Sequence, residues 1–283
     1  MPELPEVETI RRQLAPALEG KVLERLEVLD PRWCQPASPE ELAAATDGRT
    51  IEAVARRGKY LTIALSDEVH VVMHLRMTGN LLLVSPEEDD PARPHLRVRF
   101  VVEDERLLFV DVRRFGTGVV LLGSQARDLY FAARLGVEPL GPDFTAEALR
   151  ALVKGRRAPV KAFLLSQERI AGVGNIYADE ALYRARIHPL RPVGSLRRAQ
   201  VKDLRDAVVA SLEAGLGAGG ASIDDFRHPD GAKGAFQNEF LVHSREGEPC
   251  TVCGTPVRKF VAAGRGTYAC EACQARPRVR RSG

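Results

Sequence analysis

The chain has 283 residues, 45% of them hydrophobic, and a formal net charge of +3. This length and apolar content are sufficient for two domains with cores of their own. No apolar stretch approaches the ~20 residues that a membrane-spanning helix needs, and the acidic start MPELPEVETIRRQL differs from a signal peptide, which needs positive charge and a long apolar run. We therefore expect a cytoplasmic protein that has no membrane partner.

The small net charge hides an asymmetry between the two halves of the chain. Residues 1–135 contain 18 Lys and Arg against 22 Asp and Glu, whereas residues 136–283 contain 23 against 16. This excess of positive charge indicates that the second half faces a polyanion, although a solvated basic surface has the same composition. Residues 277–283 form a basic tail that we expect to be disordered and to make at most an auxiliary electrostatic contact.

A helix is predicted after Pro5, because Val7, Ile10, Leu14 and Leu18 recur at helical spacing. The segments that follow, up to about residue 125, are short, rich in Val, Ile and Leu, and separated by polar turns. Such a pattern is typical of an antiparallel sandwich or barrel, so residues 1–134 are predicted to form an α+β domain. The strand-like segments are RTIEAVARRGKYLTIAL, EVHVVMHLRM, NLLLVS, HLRVRFVV, RLLFVDV and GVVLLG.

The pattern changes after residue 134. Residues 135–144 contain two prolines and two glycines and are predicted to link two domains, and helical periodicity follows within residues 145–240. In the last helical segment, apolar residues mark one face and Gly215 is the expected stop. Residues 216–239 are glycine-rich and predicted to form a mobile loop that covers a ligand. The apolar face of the last helical segment consists of Val201, Leu204, Val208 and Leu212.

Four cysteines near the C-terminus form the pairs Cys250–Cys253 and Cys270–Cys273. They supply the four thiolates of a tetrahedral Zn²⁺ site; two disulfides are the alternative, which a cytoplasmic location disfavours. Four thiolates leave no open coordination position, so we expect one structural zinc in a module over residues 241–276. Between the pairs, apolar residues flank an Ala-Gly-Arg-Gly turn, which predicts a β-hairpin with Arg265 at its tip.

The N-terminus offers a candidate nucleophile. Removal of Met1 would free the secondary amine of Pro2, and because an α-amino group has a pKa of ~8, part of it is unprotonated near neutrality. Such an amine can attack a sugar carbon and form an iminium intermediate. Glu3 and Glu6 are candidate acid and base groups, but a glutamate in a first helical turn is more often a partner of the helix dipole. If Met1 stays attached, the amine is acylated and the hypothesis fails.

Three segments of the first half place cationic and apolar side chains at turns. Lys59 lies in RRGKYL, His74 and Met77 lie in HLRMTGN, and Arg113 and Phe115 lie in DVRRFGTG on one face of a predicted strand. A methionine, an arginine and a phenylalanine at strand ends are suited to opening a base stack. Each residue also has an ordinary interpretation, such as an edge-strand lysine that deters aggregation or a methionine that fills the core.

One segment of the second half is suited to binding phosphate. ERIAGVGNIYADEAL places a Gly-Val-Gly-Asn turn at the start of a predicted helix, where free backbone N–H groups and the Asn175 amide can bind an anion. The turn follows a predicted basic helix with Arg156, Arg157 and Lys161. A glycine turn alone is weak support, and the basic helix strengthens it.

Together these motifs resemble one family. MPELPEVET, RRGKYL, HLRMTGN, RRFGTG, AGVGNIYADEAL, the Gly-Arg-Gly hairpin and the two cysteine pairs look like bacterial formamidopyrimidine-DNA glycosylase, in order from residue 2 to residue 273. That enzyme excises oxidised purines such as 8-oxoguanine and then nicks the DNA. The resemblance implies an antiparallel β-sandwich with a leading helix, a helix–two-turn–helix DNA-binding domain and a four-cysteine zinc-finger hairpin. It also implies a monomeric, nucleoid-associated base-excision repair enzyme whose partner is double-stranded DNA with oxidised bases.

The resemblance further implies a role for each matching residue. Pro2 would be the nucleophile that forms the Schiff base, Glu3 and Lys59 would be acid/base groups, and Arg265 would contact DNA and take part in the final δ-elimination. The residues implied to fill the gap left by a flipped nucleotide are Met77, Arg113 and Phe115, with Arg113 facing the orphaned cytosine. The other implied DNA contacts are His74, His95, Arg157, Lys161 and Asn175.

The sequence departs from the family pattern at three places. His243-Ser244-Arg245 replaces Tyr-Gly-Arg, Ala235 replaces a common tyrosine in the loop, and residues 93–95 read Arg-Pro-His in place of a lysine- and histidine-containing segment. The first two lie near the implied lesion-facing loop and leave lesion preference open. The third makes the match of His95 approximate.

Three alternatives compete with this interpretation. Endonuclease VIII is a relative with the same scaffold that prefers oxidised pyrimidines, but Leu4 and the complete Met/Arg/Phe set favour the purine enzyme. A non-enzymatic zinc DNA-binding protein would need the cations and the hairpin but would leave Pro2 idle. An N-terminal-proline tautomerase of small keto acids would have no use for the zinc hairpin or the basic half.

Overall fold

The computed structural model describes residues 1–223 and 226–277. Its chain forms two compact units: unit 1 contains Met1–Arg134 and Leu216–Gln237, and unit 2 contains Leu135–Gly215 and Asn238–Gly283. Nearly all of the predicted basic tail, residues 278–283, lies outside the described residues. Within the described ranges, no helix combines the length and apolar character needed to cross a membrane.

Helix α1, Leu4–Leu18, opens unit 1 and confirms the predicted helical face. The side chains of Val7, Ile10, Leu14 and Leu18 are completely buried in the core of the unit. The helix begins with a capping box, in which Glu3 is the N-cap residue and Glu6 bonds back to its backbone. Capping therefore fixes the start of the chain where the candidate nucleophile lies.

Eight strands form the antiparallel sheet of unit 1, in the order β5-β7-β6-β1-β2-β3-β4-β8. The halves β5-β7-β6-β1 and β2-β3-β4-β8 are joined through the pairing of Val22 and Leu23 with Thr50 and Arg49. One core cluster contains side chains from both halves, so the halves pack face to face as a sandwich. The strands are β1 (Val22–Val28), β2 (Arg49–Arg57), β3 (Tyr60–Leu65), β4 (Val69–His74), β5 (Gly79–Val84), β6 (Leu96–Val102), β7 (Glu105–Asp111) and β8 (Thr117–Leu122).

The structure adds detail that the hydrophobic pattern does not resolve. The segment predicted as one stretch over residues 49–65 is two strands joined by a turn at Gly58 and Lys59, and Gly58 has the φ of +57° that such a turn requires. Helices α2 (Pro39–Thr46) and α3 (Ser124–Ala132) are also present in unit 1. Ser38 and Glu41 form a capping box at the start of α2, a signal that is readable in the sequence.

Unit 2 contains helices α4 to α7 and a hairpin of two strands, as the periodicity predicts. On α7 the predicted apolar face is buried, but the helix continues past Gly215. A Cβ at Gly215 would lie 2.4 Å from the Tyr177 hydroxyl, so this glycine serves close packing and does not stop the helix. The elements are α4 (Ala146–Val153), α5 (Val160–Leu165), α6 (Asn175–Arg184), α7 (Arg198–Gly217), β9 (Arg258–Ala262) and β10 (Arg265–Ala269).

Two predicted boundaries group differently in the structure. The predicted helical domain over residues 145–240 includes the loop 216–239, but Leu216–Gln237 belongs to unit 1, where the Ala221 amide donates to Glu6. Residues 135–144, predicted as a linker, belong to unit 2, where the Gly136 amide donates to the Gln167 carbonyl at 2.8 Å. The remaining domain boundaries stay predictions.

Candidate nucleic-acid site and metal centre

The strand register of unit 1 brings most of the predicted residues of this unit to one edge of the sandwich. Tyr60 pairs with His74, and His74 pairs with Thr117, so the Gly58–Lys59 turn, the end of β4 and the start of β8 are neighbours. Segment 75–78 and loop 112–116 connect the two halves of the sandwich at this same edge, where Gly79 pairs with Asp111. Residues from three separate motifs therefore share one surface, which we call the strand-end edge.

The first turn of α1 is buried together with the residues that precede it. Pro2 is buried, and Glu3 and Glu6 are each 2% exposed. The Glu6 carboxylate accepts the Glu3 amide at 2.8 Å with one oxygen and the Ala221 amide at 2.7 Å with the other. Glu3 thus follows the candidate nucleophile directly in a buried position, and the Glu6 carboxylate fixes the Glu3 backbone.

Strand β2 links α1 to the turn that carries Lys59. The Arg56 guanidinium of β2 lies 3.2 Å from the Glu8 carboxylate, which follows Glu6 on the same helix, and both side chains are largely buried. Lys59 follows three residues later and is itself 4% exposed. Arg56 also donates to the Gly58 carbonyl at 3.0 Å, so this side chain links the Lys59 turn to α1 at Glu8.

His74 is a neutral hydrogen-bond donor. Its ring is 8% exposed and contacts the Tyr60 ring edge-to-face, with centroids 4.7 Å apart. Burial, together with the positive charges of Arg76 and Lys59, lowers the pKa of His74 to about 3. Nδ1 accepts the Arg76 amide at 2.9 Å, so the proton of the neutral ring is on Nε2. His74 can therefore donate to a phosphate without carrying charge.

Met77, Arg113 and Phe115 are displayed at the strand-end edge. Arg113 and Phe115 were expected on one face of a strand, but β7 ends at Asp111 and both residues lie in loop 112–116. The Arg113 guanidinium lies over the Phe115 ring, 4.7 Å from its centroid, and Phe115 is 50% exposed. Met77 is 37% exposed, which argues against the core-filling interpretation. Large apolar side chains exposed beside a cation are typical of a surface that meets a ligand.

His95 immediately precedes β6 and has a left-handed φ of +65°. It is exposed, and its Nδ1 is 3.4 Å from the Arg97 guanidinium. Its carbonyl accepts the Asp111 amide at 2.9 Å, so it belongs to the same edge as loop 112–116. The motif at residues 93–95 matches the family only approximately, but His95 is exposed at the strand-end edge and can contact a ligand there.

In unit 2 the structure corrects the expectation for Lys161. Its side chain is 0% exposed, and its ammonium donates to Asp179 at 2.7 Å, to the Thr267 hydroxyl at 2.7 Å and to the Gly266 carbonyl at 3.2 Å. The charge of Lys161 is therefore used inside the protein to join α5, α6 and strand β10. A buried ammonium with these partners does not present itself to a phosphate.

Arg157 and Asn175 are placed differently from each other. Arg157 is exposed and lies in the turn before α5, so the predicted basic helix carries Lys161 but neither Arg156 nor Arg157. Asn175 is the first residue of α6, and its Nδ2 donates to the Gly266 carbonyl at 3.0 Å. Arg157 can contact an anion directly. The side-chain amide of Asn175 is bonded to the β9–β10 hairpin and helps to hold it in place.

His243, one of the departures from the family pattern, takes part in the same buried network. Its Nδ1 lies 2.9 Å from the second oxygen of Asp179. The neighbouring Glu180 is 0% exposed; burial raises its pKa, while the backbone N–H groups of residues 241–243 donate to its carboxylate and oppose that shift. Asp179 and Glu180 therefore attach residues 241–243 to α6.

The four cysteines of the C-terminal module fit a zinc ion. Their Sγ atoms all lie within 4.8 Å of one another. Three of the separations are 3.5, 3.6 and 3.9 Å, and a tetrahedron with Zn–S bonds of ~2.3 Å has edges of ~3.8 Å. In the adjacent hairpin, Ala263 and Gly264 form a two-residue turn with φ values of +54° and +67°, and the exposed Arg265 follows.

Comparison with known proteins gives the same three parts. Family models match residues 1–118 (formamidopyrimidine-DNA glycosylase N-terminal domain), 135–227 (its H2TH domain) and 247–276 (zinc finger found in FPG and IleRS). The formamidopyrimidine-DNA glycosylase of Chloroflexus aurantiacus is 44% identical, over 97% of this chain and 98% of its own length. The chain belongs to the formamidopyrimidine-DNA glycosylase family.

Solved structures of the formamidopyrimidine-DNA glycosylase family share the fold. A variant of the Lactococcus lactis FPG in complex with DNA that contains Fapy-dG matches with a TM-score of 0.91 and 34% identity, over 97% of this chain and 100% of that one. The wild-type Lactococcus lactis FPG with an oxidised-pyrimidine-containing DNA matches with a TM-score of 0.90, the same identity and the same coverage. Family membership confirms the predicted three-part architecture and the single structural zinc.

Several residues that organise these sites were not predicted. Asp111 and Thr78 hold the two loops of the strand-end edge, and Asp179 and Glu180 hold the zinc module. An acidic residue within an apolar stretch of sequence is a usable signal for such an organising role, because a buried carboxylate needs hydrogen-bond donors. Asp111 ends the apolar run RLLFVD, and Asp179 and Glu180 lie inside the AGVGNIYADEAL motif, so both were open to that argument.

Proposed function

We infer that the protein is a bifunctional DNA glycosylase of base-excision repair, which removes oxidised purines and then cleaves the backbone at the resulting abasic site. The family match over nearly the whole chain carries the reaction class. The observation that carries the assignment of residues is that unit 1 contains both the buried start of α1, with its two carboxylates, and the strand-end edge, with the Lys59 turn. The strand-end edge also carries the exposed side chains of Met77, Arg113 and Phe115, which we call the wedge residues.

Pro2 is the proposed nucleophile. After removal of Met1, the lone pair of the Pro2 secondary amine attacks C1′ of the damaged nucleotide. The C1′–N bond to the base breaks with its electron pair staying on the base, which takes up the proton that the Pro2 nitrogen loses. Glu3 supplies the proton that opens the sugar ring at its oxygen, which leaves an iminium between Pro2 and C1′. The burial of Pro2 and Glu3 supports this role, because exclusion of water lowers the competing hydrolysis.

The iminium then serves as the electron sink for strand cleavage. Loss of a C2′ proton expels the 3′ phosphate as the C3′–O bond breaks, and a second elimination expels the 5′ phosphate. Lys59 is the proposed acid/base group of these steps, and its place beside the first turns of α1 supports that role. Arg265, exposed after the hairpin turn, is proposed to contact the DNA and assist the final elimination.

The wedge residues address a physical obstacle. An amine cannot reach C1′ of a nucleotide stacked in a duplex, so the nucleotide must be extruded at a cost of a few kcal/mol. Met77, Arg113 and Phe115 are proposed to occupy the vacated space, with Arg113 facing the orphaned cytosine. The exposure of these side chains supports this role, because apolar groups in contact with water gain from burial in a base stack.

DNA-backbone contacts are proposed for exposed or donor-bearing residues of both units. His74 and His95 in unit 1 and Arg157 and Asn175 in unit 2 are the candidates, whereas Lys161 acts through the hairpin it supports. Each phosphate contact by a cation releases counterions and makes binding salt-dependent. Because the proposed substrate is double-stranded DNA, we expect a monomeric enzyme that is associated with the nucleoid.

Oxidised pyrimidines are a second candidate substrate class. The Lactococcus lactis relative has been solved with an oxidised-pyrimidine-containing DNA as well as with Fapy-dG DNA. We assign the purines as principal substrates on the complete Met77, Arg113 and Phe115 set. Single-turnover excision of 8-oxoguanine, a formamidopyrimidine and thymine glycol from otherwise identical duplexes tests this order, and faster excision of thymine glycol would reverse it.

Borohydride trapping tests the nucleophile. The zinc-loaded wild-type protein should form a covalent adduct with an 8-oxoguanine:cytosine duplex, and intact mass should show that Met1 is absent. Pro2→Gly should abolish the adduct while much of the DNA affinity remains. Pro5→Ala is the matched control, because it changes a proline of the same helix start without touching the terminal amine. An undiminished adduct in Pro2→Gly would show that the secondary amine is not required, and peptide mapping of that adduct would then distinguish the terminal primary amine of the variant from a lysine. Retention of Met1 on active protein would exclude Pro2.

A further inference from the structure

Two loops of the strand-end edge meet at a single buried carboxylate. Segment 75–78 carries Met77, and loop 112–116 carries Arg113 and Phe115, so the three wedge side chains come from two separate connections. Asp111, the last residue of β7, is 1% exposed and lies between them. Its position allows it to set the relative placement of the two loops.

The hydrogen bonds of Asp111 reach both loops. One oxygen accepts the Thr78 hydroxyl and the Arg113 amide, the latter at 3.2 Å, and the other accepts the Gly116 amide at 2.7 Å. The Thr78 hydroxyl oxygen also accepts the Arg113 amide, at 3.2 Å. Thr78 and Asp111 are therefore bonded to each other, and both accept the backbone N–H of the wedge residue Arg113.

Close packing explains why the carboxylate can reach both loops. A Cβ at Gly79 would lie 3.0 Å from the Phe109 ring, and a Cβ at Gly116 would lie 2.4 Å from it. Glycine at both positions lets the two loop ends approach the same buried ring. A buried carboxylate without hydrogen-bond partners is costly in free energy. The conformation in which both loops donate to Asp111 is therefore strongly preferred over one in which a loop has moved away.

We propose that Asp111, with Thr78, is a positioning residue that holds Met77, Arg113 and Phe115 as one preformed wedge for nucleotide extrusion. The proposal rests on the proposed function. A preformed wedge does not have to be ordered when DNA binds, so the step that inserts it into the base stack is faster than with independently moving loops. Asp111 itself touches neither the substrate nor the reacting atoms.

The test uses Thr78, where the hydroxyl can be removed at nearly constant shape. Thr78→Val removes the hydrogen bonds and Thr78→Ser keeps the hydroxyl, and Asp111→Asn changes the acceptor. For each zinc-loaded, full-length protein, the rise of 2-aminopurine fluorescence beside an 8-oxoguanine is followed by stopped flow. Nicking of a single-stranded abasic oligonucleotide is measured in parallel, because that substrate has no base stack to open. Thermal unfolding shows which variants are folded.

We expect Thr78→Val and Asp111→Asn to slow the fluorescence change and 8-oxoguanine excision about tenfold, in line with the loss of one or two hydrogen bonds. Single-stranded nicking should stay within about twofold of the wild type, and Thr78→Ser should restore the rate on duplex DNA. Equal losses on both substrates, or a folded Thr78→Val protein with wild-type extrusion, would overturn the proposal. If the wild type nicks neither substrate, the proposed function fails instead.

Discussion

The carboxylate of Glu6 accepts a hydrogen bond from the backbone amide of Ala221 at 2.7 Å. Its other oxygen accepts the amide of Glu3, so one buried side chain joins the proposed acid/base residue to the glycine-rich segment of unit 1. Gly220 makes this approach possible, because it has a φ of +78° and a Cβ there would lie 2.9 Å from Cγ of Glu6. The start of α1 and the predicted lesion-facing loop are thus held by the same group.

We expect Glu6→Gln to impair excision of a base more than cleavage at an abasic site. The amide can accept one N–H with its oxygen but cannot accept the second, and an unsatisfied buried N–H costs ~1–3 kcal/mol. A fall of about tenfold in the single-turnover excision of 8-oxoguanine follows, with a smaller effect on a preformed abasic site that has no base to hold.

Gln13→Ala is the matched control for that change. Gln13 joins α1 to Asp230 of the same loop region at 3.1 Å, but this bond is solvent-exposed and is worth little. Its rates should stay within about twofold of the wild type. Wild-type excision by Glu6→Gln would show that the Glu6–Ala221 bond does not matter for the reaction.

The titration of His74 should appear in the pH dependence of stability. Its pKa is about 3 in the folded protein against ~6.5 in the unfolded chain, so the unfolded state binds more protons between these values. Stability from this group is fully present above pH ~6.5 and is lost as the pH falls through that value, by ~1.4 kcal/mol per pH unit. From pH 7.5 to pH 5, the free energy of unfolding should fall ~2 kcal/mol more in the wild type than in His74→Gln.

Urea unfolding of the two proteins at both pH values measures this difference. His70 and His188 also have pKa values lowered by burial, but they are common to both proteins and cancel in the comparison. Parallel pH profiles for wild type and His74→Gln would contradict a neutral His74.

Lys161 and Arg157 should differ in their effect on DNA binding. Because the Lys161 ammonium is buried against Asp179, Lys161→Met should lower the free energy of unfolding by ~3–5 kcal/mol. The double variant Lys161→Met with Asp179→Leu should recover part of that stability, since the buried carboxylate no longer lacks its ammonium partner, while His243 loses its bond to Asp179.

The slope of log K against log salt concentration distinguishes the two cations. Arg157→Ala should reduce its magnitude by ~1, as expected for one lost phosphate contact. The Lys161/Asp179 double variant should keep the wild-type slope. A slope reduced by ~1 in that folded double variant would restore Lys161 as a direct phosphate ligand.

The zinc site should depend on the C-terminal cysteines alone. Metal analysis of the purified wild type is expected to give one zinc per chain, and Cys250→Ala should lose it. Structural zinc contributes ~10–16 kcal/mol to folding in small zinc modules, so the β9–β10 hairpin and Arg265 should lose their order and DNA affinity should fall.

Cys34→Ala is the control, because Cys34 is buried in the core of unit 1 and bonds to carbonyls there. It should retain the zinc and most of the DNA affinity. Zinc that survives in Cys250→Ala but is lost in Cys34→Ala would contradict the assignment of the ligands.

Much of the local structure could be predicted because it follows from periodicity and spacing. The four buried positions of α1, the buried face of α7 and the four-cysteine site were correct from the sequence. The start of α2 is also readable in the sequence, because Ser38 and Glu41 form a capping box there. The strand expected to carry Arg113 was wrong, because periodicity does not reveal that Asp111 ends β7 by capturing the amides of the following loop.

The residues that organise the sites are bonded across long stretches of chain. Asp111 meets Thr78 across 33 positions, Lys161 meets Asp179 across 18, and Glu6 meets Ala221 across 215. A lysine in a basic segment has the same local sequence whether it faces solvent or a buried carboxylate. The sequence therefore predicted Lys161 as a phosphate ligand, and its burial corrected that expectation.

By itself, the sequence determined which chemical groups are available and which family of folds they belong to: a proline behind the first methionine, two cysteine pairs, and a helix and strands marked by their spacing. These features are local, because thiolate number, helical period and N-terminal position need few neighbours to be recognised. The tertiary structure decided which charges are exposed, which loops share a carboxylate and which histidine is neutral. Those properties depend on burial and on partners remote in the chain, because a buried polar group is cut off from water and must form its hydrogen bonds within the protein.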